Sequence, residues 1–231
     1  NVEMNEILKN ESIFIRHETL EAKPSKSSKE YYGLVELAGC VWVSAYLAGM
    51  LATAEKRSRY LLRMGKMGLS PFQRWASRFV PSFLGMCCTS LAVMLWLVVG
   101  LGINLSLFNI KVIGYIFFII LSFTLLNTLM SFMFKQNGVY IMSVCVVWIA
   151  MGFLGGNFQN TWQNFIPERV QRLSIFYYTN RSVMELCTYG ESKYLKTSLV
   201  VLGVISLGSF LINLVWIWLG RYREDENLDI D

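Results

Sequence analysis

Few residues of this sequence could take part in acid–base, nucleophilic or metal chemistry. The chain has one His, His17, and its first Asp is Asp225, so a cluster of His and Asp side chains cannot form in the body of the protein. The five Cys stand at positions 40, 87, 88, 145 and 187, four of them in apolar runs and none at metal-ligand spacing. We therefore expect no metal site, no cofactor and no catalytic residue in this chain.

Three polar residues lie inside or at the edge of long apolar runs, where such side chains often face a bundle interior or a transport pathway. They are Glu36, Asn127 and Asn213. Glu36 comes early in its apolar run, so its carboxylate could also reach interfacial water. In a chain that transfers protons, this role would fall largely to Glu36. Asn127 and Asn213 are expected to form hydrogen bonds between helices.

Basic residues are concentrated in a second region, because residues 55–78 hold seven Lys or Arg and a single acid, Glu55. Tyr60, Leu61 and Met64 share one face at i, i+1 and i+4, which predicts an amphipathic helix. Ser70 followed by Pro71 predicts the start of a second helix that runs through Trp75. The first helix either anchors the chain to anionic lipid or docks in a groove of a cytoplasmic partner. The candidate docking residues are Glu55, Lys56, Arg57, Tyr60, Leu61, Arg63 and Met64.

The elements that carry these residues are membrane spans. Of the 231 residues, 54% are hydrophobic and 16% charged, with a mean hydropathy of +0.43, whereas a soluble domain has about a quarter of its residues charged. The sequence predicts an all-α, polytopic membrane helix bundle with five spans, at 32–52, 80–104, 112–134, 139–156 and 197–220. The first span is rich in small residues, which suit either a contact with a second chain or packing within this one. They are Gly33, Ala38, Gly39, Ala45, Ala48 and Gly49.

The distribution of cations predicts the orientation, because short cytoplasmic loops are enriched in Lys and Arg. It places residues 55–78 in the cytoplasm, residues 1–30 outside as a polar segment, and the acidic tail 224–231 inside, around a transmembrane domain at 31–223. The segment 157–196 lies outside and shows the helical spacing of Val170, Leu173 and Phe176, which predicts short amphipathic helices. Trp162, Tyr177 and Tyr178 are expected at the outer surface or re-entrant beside the last span.

These features resemble the permease subunit of a type 2, exporter-type ABC transporter, over residues 31–223. The resemblance rests on the order of sequence segments along the chain. A basic coupling helix follows a span, and the Pro-containing segment at 68–75 leads into the next span. The glycine-bearing segment at 152–156 ends another span, and the outer helical segment at 165–168 precedes the last one.

The resemblance implies that the chain forms half of a translocation pathway with a second permease, identical or related. ATP and Mg would be bound by a separate cytoplasmic ATPase, and the sequence has no phosphate-binding P-loop of its own. It also implies a sixth span upstream of residue 1 and a multi-pass location in a plasma membrane, here a bacterial one. The expected partners are the ATPase, the second permease and the lipid bilayer, without nucleic acid.

Two other classes remain open on the residues alone. A membrane scaffold without transport activity would use the basic segment to recruit a cytoplasmic protein or anionic lipid. A membrane-embedded enzyme would depend on Glu36 for proton transfer, since His17 lies in a polar segment.

Overall fold

The computed structural model describes residues 28–57, 70–102, 109–134, 136–157 and 166–218. In these ranges the chain is helical and contains no strand, which confirms the all-α prediction. The α-helices are α1 (Ser28–Gly39), α2 (Val41–Arg57), α3 (Pro71–Leu95), α4 (Ile110–Met133), α5 (Asn137–Gly155), α6 (Glu168–Gln171), α7 (Ile175–Tyr189) and α8 (Leu195–Trp218). A π-helical turn at Trp96–Gly100 continues α3.

Four helical stretches within the described ranges are long and apolar enough to cross a membrane. They are Trp75–Gly100, Ile110–Met133, Gly138–Gly155 and Leu195–Val215, and they correspond to the last four predicted spans. The first predicted span, 32–52, is instead divided between α1 and α2. The helix breaks after Gly39, a poor helix former, and the backbone N–H of Val43 closes a tight turn by donating to the carbonyl of Cys40 at 3.0 Å.

The start of α3 follows the predicted cap. Ser70 Oγ accepts a hydrogen bond from the backbone N–H of Gln73 at 3.3 Å, and the backbone N–H of Ser70 donates to Gln73 Oε1 at 2.8 Å. This capping box, with Pro71 at the first helical position, satisfies donors that a helix start otherwise leaves unpaired. Because α3 begins at Pro71 and not near residue 80, Arg78 lies within the helix and is not a loop cation.

Helix α4 forms the centre of the bundle. It packs against α2, α3, α5, α7 and α8. In its most apolar stretch 67% of the residues are buried, compared with 22–28% in the other three long helices. Helix α4 is apolar all round because protein covers most of its surface, whereas the other long helices keep an apolar face for lipid.

Helix α7 folds back into the bundle after α5. Helix α5 ends at Gly155, and Gly156 adopts φ 83°, a left-handed conformation that glycine tolerates. Ser174 caps α7 by accepting from the N–H of Phe176 at 3.1 Å, and its hydroxyl donates to the carbonyl of Met151 at 2.6 Å. The predicted short helices are thus present as α6 and α7. Of the two positions expected for Tyr177, the structure favours the one beside the last span over the outer surface, because Tyr177 is only 1% exposed and α7 packs against α4, α5 and α8.

Candidate functional site

Asn127 is the centre of a hydrogen-bond network inside the bundle. Its side chain is 0% exposed. The amide nitrogen of Asn127 donates to Ser44 Oγ at 2.7 Å and to the carbonyl of Val41 at 3.2 Å, both on α2. Its amide oxygen accepts from Trp148 Nε1 of α5 at 3.0 Å. One side chain of α4 therefore joins three helices in a region where unsatisfied polar groups are costly.

Tyr140 adds a second connection between the same three helices. Its hydroxyl is placed to donate to the carbonyl of Ala45 on α2 at 2.9 Å and lies 3.4 Å from the carbonyl of Asn127. Tyr140 is 2% exposed. Together Asn127 and Tyr140 fix α2, α4 and α5 relative to one another, and we call this set of contacts with Ser44 and Trp148 the Asn127 network.

Arg78 lies at the end of the bundle where α2 ends and α3 begins, here called the loop end. Its guanidinium carbon is 4.0 Å from the centre of the Phe132 ring, near the end of α4. Arg78 is 5% exposed, and Trp75, one turn earlier on α3, packs edge-on against Phe210 of α8. Cationic and aromatic side chains of α3 therefore contact α4 and α8 at the loop end.

Long apolar helices with a hydrogen-bonded polar interior indicate a membrane protein, and sequence comparison gives its family. A family model described as ABC-2 family transporter protein matches residues 2–215. The chain belongs to the ABC-2 transporter family. It is therefore a multi-pass membrane subunit of a transporter, a permease. Comparison with curated proteins gives no match, and comparison with solved structures gives none either.

The docking residues predicted for this permease fall at the end of α2 and beyond it. Glu55, Lys56 and Arg57 belong to the last turn of α2, and of these residues the structure describes the backbone. Tyr60, Leu61, Arg63 and Met64 lie outside the described residues. Glu36 lies in α1, and of this residue the structure describes the backbone.

Asn213, the other predicted polar residue, lies in the seam between α4 and α8 of the permease. It is 0% exposed, and its amide nitrogen donates to Ser209 on its own helix at 2.8 Å and to Leu125 on α4 at 3.5 Å. The seam also contains a hydrogen bond between Ser122 and Ser206 at 2.6 Å. These contacts bind α8 to the opposite side of α4 from the Asn127 network.

The small residues of α2 mostly pack inside this chain. Ala45 is 3% exposed and Ala48 0%, and the Leu47 side chain packs directly on Gly85 of α3. Packing within the chain thus accounts for Ala45, Ala48 and the buried Gly49 without a second chain.

A cavity of about 190 Å³ lies between α2 and α5 and is lined by Trp42, Tyr46, Cys145 and neighbouring side chains.

A polar cluster surrounds the short helices α6 and α7 of the permease. The Tyr177 hydroxyl donates to Glu168 Oε1 at 2.6 Å, and Arg172 pairs with the same oxygen at 3.2 Å. These two contacts lower the pKa of Glu168, and burial together with the bond to Glu168 raises the pKa of Tyr177 to about 12. The Arg181 guanidinium lies 4.1 Å from the Tyr177 ring.

Within the described ranges no group of three or more His, Cys, Asp or Glu could hold a metal ion.

Sequence reasoning missed Ser44, Tyr140 and Trp148 as partners of Asn127, and it assigned Arg78 to a loop. Nothing in the sequence sets Trp148 apart from the other Trp residues, because its role depends on a contact across 21 residues. For Arg78 a signal was present. A helix that starts at Pro71 places this residue two turns inside α3, directly before apolar Phe79 and Val80.

Proposed function

We propose that this permease is one half of the membrane pathway of an ATP-driven exporter, and that it docks a separate cytoplasmic ATPase through residues 55–64. The supporting observation is the arrangement of α2 and α3, which pack side by side. Helix α2 ends at Arg57 and α3 begins at Pro71, so the intervening basic segment starts and finishes at the loop end. A short, strongly basic connection between two spans suits an amphipathic docking helix.

In this proposal the apolar and charged residues of the segment have different tasks. Tyr60, Leu61 and Met64 supply the apolar face that enters a groove of the ATPase. The cations, such as Arg57 and Arg63, select the partner and fix the register of docking. ATP and Mg bind to the ATPase, and a second permease, identical or related, completes the pathway.

In this proposal the Asn127 network transmits movement of the docked segment into the helix bundle. ATP-driven closure of the ATPases would move the docked segment, and the end of α2 would move with it. Because Asn127 and Tyr140 join α2 to α4 and α5, a displacement of α2 would be shared by the three helices. The pathway would then shift between inward-facing and outward-facing states, because nucleotide binding to the ATPase favours one of the two states.

The orientation in this proposal follows the cations. With the loop end in the cytoplasm, residues 1–30 lie outside and residues 224–231 inside, and the basic segment obeys the positive-inside rule. A reporter fused after residue 231 and another fused between residues 102 and 109 test this orientation, since the proposal requires the first in the cytoplasm and the second outside, whereas the reversed orientation exchanges the two.

The docking surface is tested with two substitutions on its apolar face, Tyr60→Asp and Leu61→Asp. Each puts a charge on the face proposed to enter the groove, so recovery of the ATPase with the tagged permease should fall by at least tenfold. Ser58→Asp is the matched control, because it adds the same charge away from that face and should leave recovery unchanged. All three variants should insert normally. Full ATPase recovery with both apolar-face variants would rule out this contact surface. If instead no ATPase is recovered with the parent chain or with any variant, the scaffold alternative gains support.

A further inference from the structure

The cavity between α2 and α5 lies within the part of the bundle that crosses the membrane. Its volume is about 190 Å³. One wall is formed by Trp42, Ala45 and Tyr46 of α2, and the other by side chains from the first turns of α5. Both walls belong to apolar helical stretches, Val41–Ala52 and Gly138–Gly155, so the cavity is at a depth where lipid hydrocarbon surrounds the protein.

The walls of this cavity are apolar. Within the described part of the chain, no polar atom contributes to the surface that lines it. Tyr140 contributes its ring, because its hydroxyl is engaged with the carbonyl of Ala45 at 2.9 Å. Water occupies a cavity where it finds two or more polar partners, whereas an apolar cavity stays dry and accepts a hydrocarbon. The chemistry of the walls therefore selects a hydrocarbon ligand.

The cavity opens toward the side of the bundle that faces lipid. Tyr46, at its edge on α2, is 57% exposed. Cys145, at its edge on α5, is half-buried and shares a helix face with Met142 and Ile149, which lie three and four residues away. These two apolar side chains are 71% and 52% exposed. A hydrocarbon chain that lies on this surface therefore reaches the cavity sideways, without crossing a polar region.

The size of the cavity fits the end of such a chain. Protein interiors are close-packed, and side chains around a cavity lose attractive contacts unless a ligand supplies them. A cavity of about 150 Å³ holds one benzene molecule, so a volume of about 190 Å³ has room for a chain end of roughly six to eight carbon atoms. Acyl chains of phospholipids are the hydrocarbon that a bilayer supplies in excess at this depth.

We propose that the cavity binds the end of one acyl chain of a membrane phospholipid, which enters from the side between Tyr46 and Cys145. The bound chain adds contacts between α2 and α5, the helices that Tyr140 already connects. Release of the chain loosens this contact, so the lipid is a ligand that stabilises one arrangement of the two helices. This inference concerns the folded permease and does not depend on the proposed docking of an ATPase.

A photoreactive phospholipid tests the site. The probe is phosphatidylcholine with a diazirine at the end of one acyl chain, mixed into bilayers that contain the purified full-length permease. After illumination, mass spectrometry locates the labelled residues. We expect label on Val144, which is 2% exposed and lies in the wall of the cavity. Label on Met142 and Ile149 records ordinary contact with lipid at the outer surface.

Two matched variants show whether the label on Val144 comes from inside the cavity. Ala45→Leu places three additional carbon atoms in the cavity, and the loss of space for the chain should lower the label on Val144 by about tenfold or more, with no change at Met142. Ala150→Leu adds the same atoms at an exposed position of α5 and should leave the label on Val144 unchanged. Cys145→Leu narrows the entrance and replaces Ala45→Leu if that variant yields no folded protein.

Several outcomes would overturn the proposal. If label in the parent chain is confined to Met142 and Ile149, the lipid stays on the surface. If none of the three positions is labelled, another protein chain covers this side of the bundle. Label on Val144 that persists in the filled variants contradicts entry into the cavity. If a photoreactive free fatty acid labels Val144 and the phospholipid does not, a phospholipid is the wrong source of the chain.

Discussion

Replacement of Asn127 by Leu is expected to destabilise the bundle without preventing membrane insertion. Leu has the same number of side-chain heavy atoms as Asn, branched at the same carbon, and it is apolar like its surroundings, so the substitution leaves little empty space. What it removes are three side-chain hydrogen bonds, to Val41, Ser44 and Trp148. The Trp148 indole N–H, which lies in the interior of the protein, then loses its acceptor, Asn127 Oδ1.

The size of the effect follows from the number of bonds. Hydrogen bonds between helices in a membrane contribute on average about 0.6 kcal/mol each and at most about 1.7 kcal/mol, so three of them amount to about 2–5 kcal/mol. For a chain of this size that corresponds to a fall in the unfolding temperature of roughly 4–20 °C. Asn213→Leu is the matched control. Asn213 is equally buried, but it makes one good bond to Ser209, at 2.8 Å, and a long one to Leu125, at 3.5 Å. We expect it to cost about 1 kcal/mol or less.

The assay is thermal unfolding of the purified permease in mild detergent, followed by intrinsic Trp fluorescence and by the loss of monodisperse protein. A second variant, Asn127→Leu/Trp148→Phe, removes the orphaned donor as well and should recover part of the loss, since both partners are then apolar. The reasoning is refuted if Asn127→Leu unfolds at the parental temperature, or if Asn213→Leu costs as much as Asn127→Leu.

Three further substitutions test other parts of the structure by the same assay. Gly155→Ala puts a methyl group against the backbone of α7, with the carbonyl carbon of Phe176 at 3.0 Å, and should cost about 1–3 kcal/mol, whereas Gly208→Ala meets nothing within 4 Å and should be neutral. Ser70→Ala removes the cap of α3 and should cost about 1 kcal/mol; an unchanged unfolding temperature would show that the capping box is dispensable. The lowered pKa of Glu168 means that its ionised form adds stability above its ordinary value of 4.5 and that this stability is lost as the pH falls through the lowered value. Glu168→Gln should therefore flatten the dependence of the unfolding temperature on pH in this acidic range, and an unchanged slope would contradict the assignment.

Local sequence signals predicted the helices well where a few neighbouring residues decide the position of a helix or of its start. Uncharged runs located the four long helices, and Ser70 with Pro71 located the start of α3, because both signals act within a few residues. The division of the first span at Gly39 was not predicted. A glycine in an apolar run is compatible with a straight helix or a broken one, and the contacts of α1 with α3 and α7 lie far away in sequence.

The interior network was predictable in part. Asn127 stands out as an amide in an apolar run, and a role between helices followed from the cost of burying it. Its partners could not be predicted, because Ser44 and Trp148 are ordinary residues that become important only when α2, α4 and α5 meet. The choice between the two positions expected for Tyr177, the outer surface or beside the last span, could not be made from the sequence for a related reason. An aromatic residue suits the membrane interface and a protein interior equally well, and tertiary packing decides between them.

The most direct test of the account is recovery of the tagged full-length permease from its native membrane in mild detergent, with mass spectrometry of the proteins that accompany it. The account predicts a cytoplasmic ATPase with a nucleotide-binding P-loop, and a rate of ATP hydrolysis by the complex that falls when residues 55–74 are altered. Recovery without any ATPase, under conditions in which a known ABC transporter keeps its own, would contradict the docking proposal and would make the basic segment a lipid anchor or a determinant of topology.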